Sequence, residues 1–367
     1  PNYIVEQLKE YSHYKDYTTP NGIDLLNDTI KQLYSNDVYN VKNVVFGNGS
    51  KELIYLVQKI HKGIVFHITP CWVSYIEQSI LLDKQVVNIN TTIKNNFKVL
   101  PDVLDSILSQ YKDQHKLIIF NNPNNPTGVL YNPIETKAIA DILIKHNTII
   151  LADEIYGNIH HFNPCESISL YAPQLTIRSS SVSKDIGCGG YRLGWLTFPE
   201  TLNTLYIECY KHASIIYSCT SLPIQWATYK LLCNSKVYNE HLHFSNKVYQ
   251  WAAYSVYNKL KKTKCNMSYP EGAWYILVDF SYYKDKLGVF DSYELCDRLL
   301  KDLGIILVAG ENFNITGFYC RFSLISLNNE SLIRCLENNE ILEYNLDTII
   351  QPILNGIDRL VEYLNKI

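Results

Sequence analysis

Lys184 stands in the run Ser181-Val182-Ser183-Lys184-Asp185-Ile186-Gly187-Cys188-Gly189-Gly190-Tyr191-Arg192. An amine becomes a useful carbonyl-trapping nucleophile where its neighbours lower its pKa or convert it to an imine. Serine hydroxyls, free backbone amides and a guanidinium suit a phosphate dianion. The run therefore predicts a lysine held as an imine beside a phosphate. Alone it also fits a plain surface turn, so its weight rests on what else the chain supplies.

Further punctuated sequences carry candidate chemistry. Phe46-Gly47-Asn48-Gly49-Ser50-Lys51 has glycines that let the backbone approach an anion where a helix begins. It lacks the Gly-Lys-Ser/Thr of a P-loop, and it also reads as a turn with Ser50 as N-cap. In Asn121-Asn122-Pro123-Asn124-Asn125-Pro126-Thr127-Gly128, two Asn-Pro steps hold an extended or turned loop and aim amides at a common point. Asp153, in Leu151-Ala152-Asp153-Glu154-Ile155-Tyr156, is an acid at the end of an apolar strand, where it needs a cation or donors. A protonated pyridine nitrogen would serve. An N-cap role and a metal site with Glu154, His160 and His161 are the alternatives. No metal is expected, because Glu154 points away from Asp153 along an extended strand and the two histidines are adjacent. Trp72, in Pro70-Cys71-Trp72-Val73-Ser74-Tyr75, could stack on a planar ring or fill core.

The elements that position these loops alternate. Short β-branched runs at 44–46, 64–68, 86–89, 117–120, 148–151, 175–178 and 193–196 read as buried parallel strands. Helical patterns lie between most of them, at 50–61, 73–82, 101–111 and 133–146. This predicts an α/β fold: a large domain with a mostly parallel seven-stranded sheet covered by helices, at residues 41–262. Ligands of such sheets bind at the carboxyl ends of strands, where the loops above fall. Long helical material follows at 200–213 and 221–262, then a smaller α+β domain at 263–367. Residues 1–40 contain one helix and are expected to pack with that small domain. The Asn/Glu-rich stretch 328–345 reads as a surface insertion.

Composition excludes other classes. Lys+Arg 33 against Asp+Glu 36 gives a net charge of -3, with no reason to expect nucleic acid or an acidic membrane as partner. No apolar run is long enough to span a bilayer, and no basic-then-apolar leader opens the chain. The chain begins at Pro1, as expected of one processed or shortened at that end. Ten scattered cysteines without zinc-like spacing read as reduced thiols of a cytoplasmic protein.

Taken together and in this order, the Asn-Pro-x-Asn-Pro-Thr-Gly loop, the Asp-x-x-Tyr step and the Ser-x-Ser-Lys…Arg run resemble the fold type I pyridoxal-phosphate enzymes, in particular the class I/II aminotransferases of the aspartate aminotransferase superfamily. The likeness extends from Tyr17 to Arg321. It implies pyridoxal 5'-phosphate as cofactor, held by Lys184 as an internal imine. It implies that Asp153 pairs with the pyridine nitrogen, that Asn125 and Tyr156 hydrogen-bond the ring's phenolic oxygen, and that Trp72 stacks on the ring. Ser181, Arg192 and the Gly49-Ser50-Lys51 backbone would bind the phosphate, and Arg321 would clamp the substrate carboxylate. Tyr17 would reach the phosphate of a neighbouring subunit, making the active unit a homodimer.

The implied reaction moves an amino group from an L-amino acid to a 2-oxo acid. An amino-acid decarboxylase or lyase of the same fold is the nearest alternative, and a PLP-fold effector-binding protein is the non-enzyme one. Two departures from the family pattern stand out. Leu25-Leu26 occupies a position where many relatives have Leu-Arg, and no convincing second arginine awaits a dicarboxylate side chain. Arg178 and Arg298 are candidates by elimination only, so the sequence does not predict strong selectivity for aspartate or glutamate.

Overall fold

The computed structural model of the chain describes residues 1–338 and 343–367. Helices α1 (Asn2–Tyr11) and α2 (Asp24–Tyr34) lead into the large sheet. Its strands are β1 (Asn43–Gly47), β2 (Ile64–Thr69), β3 (Val86–Asn90), β4 (Lys116–Asn121), β5 (Ile149–Asp153), β6 (Thr176–Ser181) and β7 (Gly194–Phe198), in the spatial order β1-β7-β6-β5-β4-β2-β3. Each coincides with one of the seven apolar runs. β7 differs from expectation: it runs antiparallel to both of its neighbours, β1 and β6. A buried antiparallel strand is as apolar as a parallel one, so composition does not show its direction.

Helices α3 (Ser50–Ile60), α4 (Val73–Leu81), α5 (Pro101–Leu108) and α6 (Pro133–Lys145) connect the strands, and α7 (Asn203–Ile216) follows them. They cover both faces, as a mostly parallel sheet requires. Alternate residues of one strand enter different cores: Val65 packs with Leu53, Val57 and Cys209, whereas Ile64, Phe66 and Ile68 pack with Leu104, Ile139 and Leu143. At α6 the side chain of Asn132 accepts from the Glu135 amide at 2.9 Å and Glu135 accepts from the Asn132 amide at 2.8 Å, a reciprocal cap that starts the helix at Pro133. At α3 the N-cap is Gly49, and Ser50 is the first helical residue rather than the cap.

The long helical stretch breaks at Asn234 into α8 (Leu222–Cys233) and α9 (Ser235–Leu260). Asn234 caps α9 by accepting from the Val237 amide at 3.3 Å. The N-terminal helices pack on the large sheet instead of the small domain. Ile4, Leu26 and Ile30 share a core with Phe46, Trp195, Ile224 and Leu231, because α8 offers them an apolar face beside β1.

The small sheet, in the order β10-β11-β9-β8, consists of β8 (Asn266–Met267), β9 (Tyr275–Asp279), β10 (Val308–Ala309) and β11 (Tyr319–Ser323), all paired antiparallel. The single turn α10 (Lys284–Leu287), α11 (Ser292–Leu303), α12 (Asn329–Asn338) and α13 (Glu343–Lys366) complete it. Its core also takes Phe244, Val248, Ala252 and Val256 of α9, so it draws on residues before 263. The stretch expected as a surface insertion is helical over Asn329–Asn338, with Leu332 and Cys335 packed on that core, and 339–342 lie outside the described residues.

Candidate active site

One cavity of about 520 Å³ opens where the strand-end loops meet the small sheet. Ser50, Lys51, Trp72, Asn125, Asp153, Tyr156, Lys184, Arg192 and Arg321 all line it, although they come from distant parts of the chain. So do Tyr75, Asn121, Ser183 and Tyr275, to which the sequence reading assigned no role.

Asp153 ends β5 and is 2 % exposed. Its Oδ2 accepts the hydroxyl proton of Tyr75, and its Oδ1 is buried with no partner. Burial pushes the carboxyl up to about 6, against the Tyr75 hydroxyl, the Ile155 amide and Lys184, which favour the charged form. Such a carboxylate is set to receive a cationic donor. The Asn121 side chain donates to the Asp153 carbonyl at 2.9 Å and accepts the Asn125 amide at 2.8 Å, tying two strand-end loops together.

Lys184 follows β6 and is half-buried. Its Nζ lies 5.8 Å from the Tyr156 ring centroid and 5.6 Å from that of Trp274. Burial, then Arg321, Arg192 and Lys51, hold its ammonium below the ordinary lysine range, with Asp153 opposing them. A neutral amine at accessible pH is the form that attacks a carbonyl.

Arg321, on β11, is gripped from several sides. Its guanidinium carbon lies 4.5 Å from the Tyr275 ring and 4.8 Å from the Phe313 ring, and Nη1 donates to the Asn125 side chain at 2.9 Å. Its Nε is buried without a partner. The fork is fixed in place with donors to spare, as bidentate capture of a carboxylate requires.

The phosphate-like end is a close fit of backbone and guanidinium. Gly49 has φ +90°, and a Cβ there would meet Arg192 Nη2 at 2.3 Å. A Cβ on Gly194 would meet the Ser50 amide nitrogen at 2.6 Å, so the α3 N-terminus and the start of β7 touch only because Gly194 lacks a side chain. Arg192 donates to the carbonyls of Gly189 and Asn48.

Trp72 caps α4, meets Tyr75 edge-on at 5.4 Å, and carries Lys51 Nζ over its ring at 5.0 Å.

Four other candidate residues are not among those that line this cavity. Ser181, the last residue of β6, is fully buried and accepts the Ser183 amide at 3.1 Å, while Ser183 in the turn that follows lines the cavity. Tyr17 is 89 % exposed and lies outside this cavity. Arg178 is committed to Glu154 at 2.8 Å and to the Tyr34 carbonyl at 3.0 Å. Arg298 pairs with Asp302 at 2.6 Å along its own helix, so neither arginine serves the cavity.

Of the residues the sequence reading missed, Tyr75 had a signal: it sits one helical turn past Trp72 at the start of α4. Tyr275 had none without the small sheet's register.

The α/β fold presents a lysine and a buried carboxylate to one cavity at the strand ends, the two groups that a site for a carbonyl cofactor would need. The family model for aminotransferase class I and II matches residues 4–337, and the chain belongs to that family. It is an enzyme that transfers amino groups. It is 29% identical over 309 residues to the asparagine–oxo-acid transaminase of Streptococcus mutans, covering 81% of this chain and 76% of that protein. It is 26% identical to the aspartate aminotransferase of Thermotoga maritima, covering 100% and 88% respectively. Among solved structures, a double mutant of Thermus thermophilus aspartate aminotransferase superimposes with a TM-score of 0.84 at 21% identity, over 99% of this chain and 88% of that one. The aromatic aminotransferase of Pyrococcus horikoshii gives 0.83 at 22% identity, over 100% and 92%. At those identities the likeness speaks for the fold, a fold type I architecture. Among the described residues no helix is long and apolar enough to cross a membrane.

Proposed function

We propose that the cavity holds pyridoxal 5'-phosphate through Lys184 and Asp153, and that its amino donor is an amino acid with a second polar group at the end of its side chain, of the aspartate or asparagine kind. The observation that carries the cofactor is the orphaned, buried Oδ1 of Asp153 in the same cavity as a lysine held below its usual pKa. A protonated ring nitrogen satisfies that oxygen and neutralises the buried charge.

Bound there, the cofactor supplies an electron sink for the bonds of the substrate α-carbon. The protein does the rest. Lys184 Nζ holds the cofactor and then moves the proton at the substrate α-carbon, as its lowered pKa permits. Asp153 keeps a proton on the ring nitrogen. Asn125 and the Tyr156 hydroxyl donate to the phenolic oxygen, while Trp72 covers a ring face and excludes water. The amides of Gly49, Ser50 and Lys51, the Ser183 hydroxyl and Arg192 take the phosphate. Arg321 grips the α-carboxylate with Nε and Nη2, since Asn125 occupies Nη1.

Lys51 supports the second polar group. It lines the cavity, and among the described residues it has no ion-pair partner. It offers a distant carboxylate or amide a cation that Arg178 and Arg298 do not. The names of the relatives, aspartate and asparagine–oxo-acid transaminases, agree with such a donor.

The exposed Tyr17 is proposed to complete the phosphate site of a second copy, giving a homodimer. The cysteine pattern of the sequence fits the cytoplasm.

Mixing stoichiometric holoenzyme with aspartate or asparagine in a single turnover tests the reading. Release of one equivalent of the matching 2-oxo acid, with the nitrogen retained on the enzyme until an oxo acid is added, is expected. Free ammonia or carbon dioxide instead would move the protein to the lyase or decarboxylase alternative.

A further inference from the structure

Tyr275 touches both halves of the reacting region. β9 and β11 pair antiparallel, with Tyr275 opposite Ser323 and Leu277 opposite Arg321. Residues directly opposite share a sheet face, so Tyr275 and Arg321 are diagonal neighbours on the face that meets the cavity, which both line. The Tyr275 ring backs the guanidinium at 4.5 Å, and the Tyr275 hydroxyl lies 2.8 Å from that of Tyr156. Tyr275 is 5 % exposed, so neither contact is a chance surface encounter.

We propose that Tyr275 is a positioning residue with two separable tasks: its ring seats Arg321 for the substrate α-carboxylate, and its hydroxyl donates to Tyr156 so that the Tyr156 proton is free for the cofactor's phenolic oxygen. The inference rests on the reading of the cavity given above.

A tyrosine hydroxyl has one proton to give. If Tyr156 gives its proton to the cofactor, Tyr275 must be the donor within the pair. Two hydroxyls aligned in that sense polarise each other, which makes Tyr156 the stronger donor. The ring task follows from burial. Arg321 is desolvated enough that its ordinary pKa is lowered, and Tyr275 and Tyr156 oppose that shift. An aromatic face compensates a guanidinium that has lost water while leaving its N–H groups free for a ligand.

Substitutions separate the tasks. Tyr275→Phe keeps the ring and drops the hydroxyl, whereas Tyr275→Leu drops both. Two equilibrium readouts on holoenzyme report them: the pH midpoint of the bound cofactor's visible absorbance, and the dissociation constant of succinate, a carboxylate with no amine to react. In Tyr275→Phe the midpoint is expected to rise by about one pH unit, the equivalent of one hydrogen bond, with succinate affinity within about twofold of wild type. In Tyr275→Leu the midpoint moves alike and succinate binds about tenfold more weakly.

An unmoved midpoint in Tyr275→Phe overturns the hydroxyl task. Wild-type succinate affinity in Tyr275→Leu overturns the ring task. Arg321→Ala, titrated in parallel, separates this inference from the one beneath it. If Arg321→Ala also keeps succinate affinity, the placement of the carboxylate on Arg321 fails; if it loses affinity and Tyr275→Leu does not, only the Tyr275 inference fails. Tyr275→Phe is close to isosteric, so the hydroxyl task stays decidable even if the leucine variant does not fold.

Discussion

The Tyr75 hydroxyl donates to Oδ2 of Asp153 and leaves Oδ1 of the same carboxylate buried without a partner. One oxygen is anchored by the protein and the other is reserved, which fixes the direction from which a cationic donor can approach.

The reserved charge makes the cofactor-free protein unstable in a pH-dependent way. The Asp153 pKa rises from 3.8 to about 6 on folding, so the folded state binds the proton more tightly than the unfolded one. Ionisation therefore costs stability, beginning as pH passes the unfolded pKa and complete above the folded one. Apo Asp153→Asn, which carries no charge, should gain on apo wild type between pH 4 and pH 6, reaching about 3 kcal/mol and then levelling off. Urea denaturation of both apoproteins across that range checks it; a flat difference means that Asp153 titrates normally.

Tyr75→Phe should act in the opposite sense. Removing a hydrogen bond to a buried charged group is expected to destabilise the apoprotein by about 2 kcal/mol at neutral pH. The loss should shrink in acid, where Asp153 carries its own proton. Equal losses at both pH values would mean that the hydroxyl only fills space.

Lys184→Ala should still bind the cofactor through the phosphate and Asp153 contacts, but without a covalent link. After borohydride reduction, denaturing mass spectrometry should find the cofactor mass on wild type and none on the variant, dialysis should release the variant's cofactor, and turnover should fall by several orders of magnitude. Near-wild-type turnover would remove Lys184 from the chemistry.

Lys51→Ala should discriminate between substrates. KM for a dicarboxylic or amide-bearing donor is expected to rise about tenfold while KM for alanine stays unchanged, the pattern of a lost side-chain contact. An equal effect on both substrates would assign Lys51 to the phosphate instead.

Tyr17 can be tested by complementation. Mixing Tyr17→Ala with Lys184→Ala subunits should restore about a quarter of the wild-type sites, because half the dimers are hybrids and each hybrid has one intact site. No recovery on mixing would place Tyr17 in its own subunit's structure.

Much of this molecule is legible in its sequence. All seven large-sheet strands coincide with short apolar runs, and the loops bearing Ser50, Trp72, Asn125, Asp153 and Lys184 follow strands as the turn chemistry implies. The misses share a cause. The direction of β7, the docking of α1 and α2 on α8, and the break at Asn234 all depend on which apolar faces meet, and one apolar face reads like another. Ser181 closes β6 and Ser183 follows it in the turn, and only the folded chain shows that Ser183 is the one that lines the cavity.

Arg321 of β11 entered only through the likeness of the whole motif set; residue type and local spacing determined by themselves the α/β alternation, the lysine in the Ser- and Gly-rich turn after β6 and the acid at the end of β5. Those features are set within a few residues, by periodicity and turn geometry. The tertiary structure alone decided the partnerships that tune them. Tyr75 and Asp153 are 78 residues apart, Tyr156 and Tyr275 are 119 apart, and Asn125 and Arg321 are 196 apart. The first forms once α4 lies against the large sheet and the other two once the small sheet meets the large one, and no local pattern encodes them.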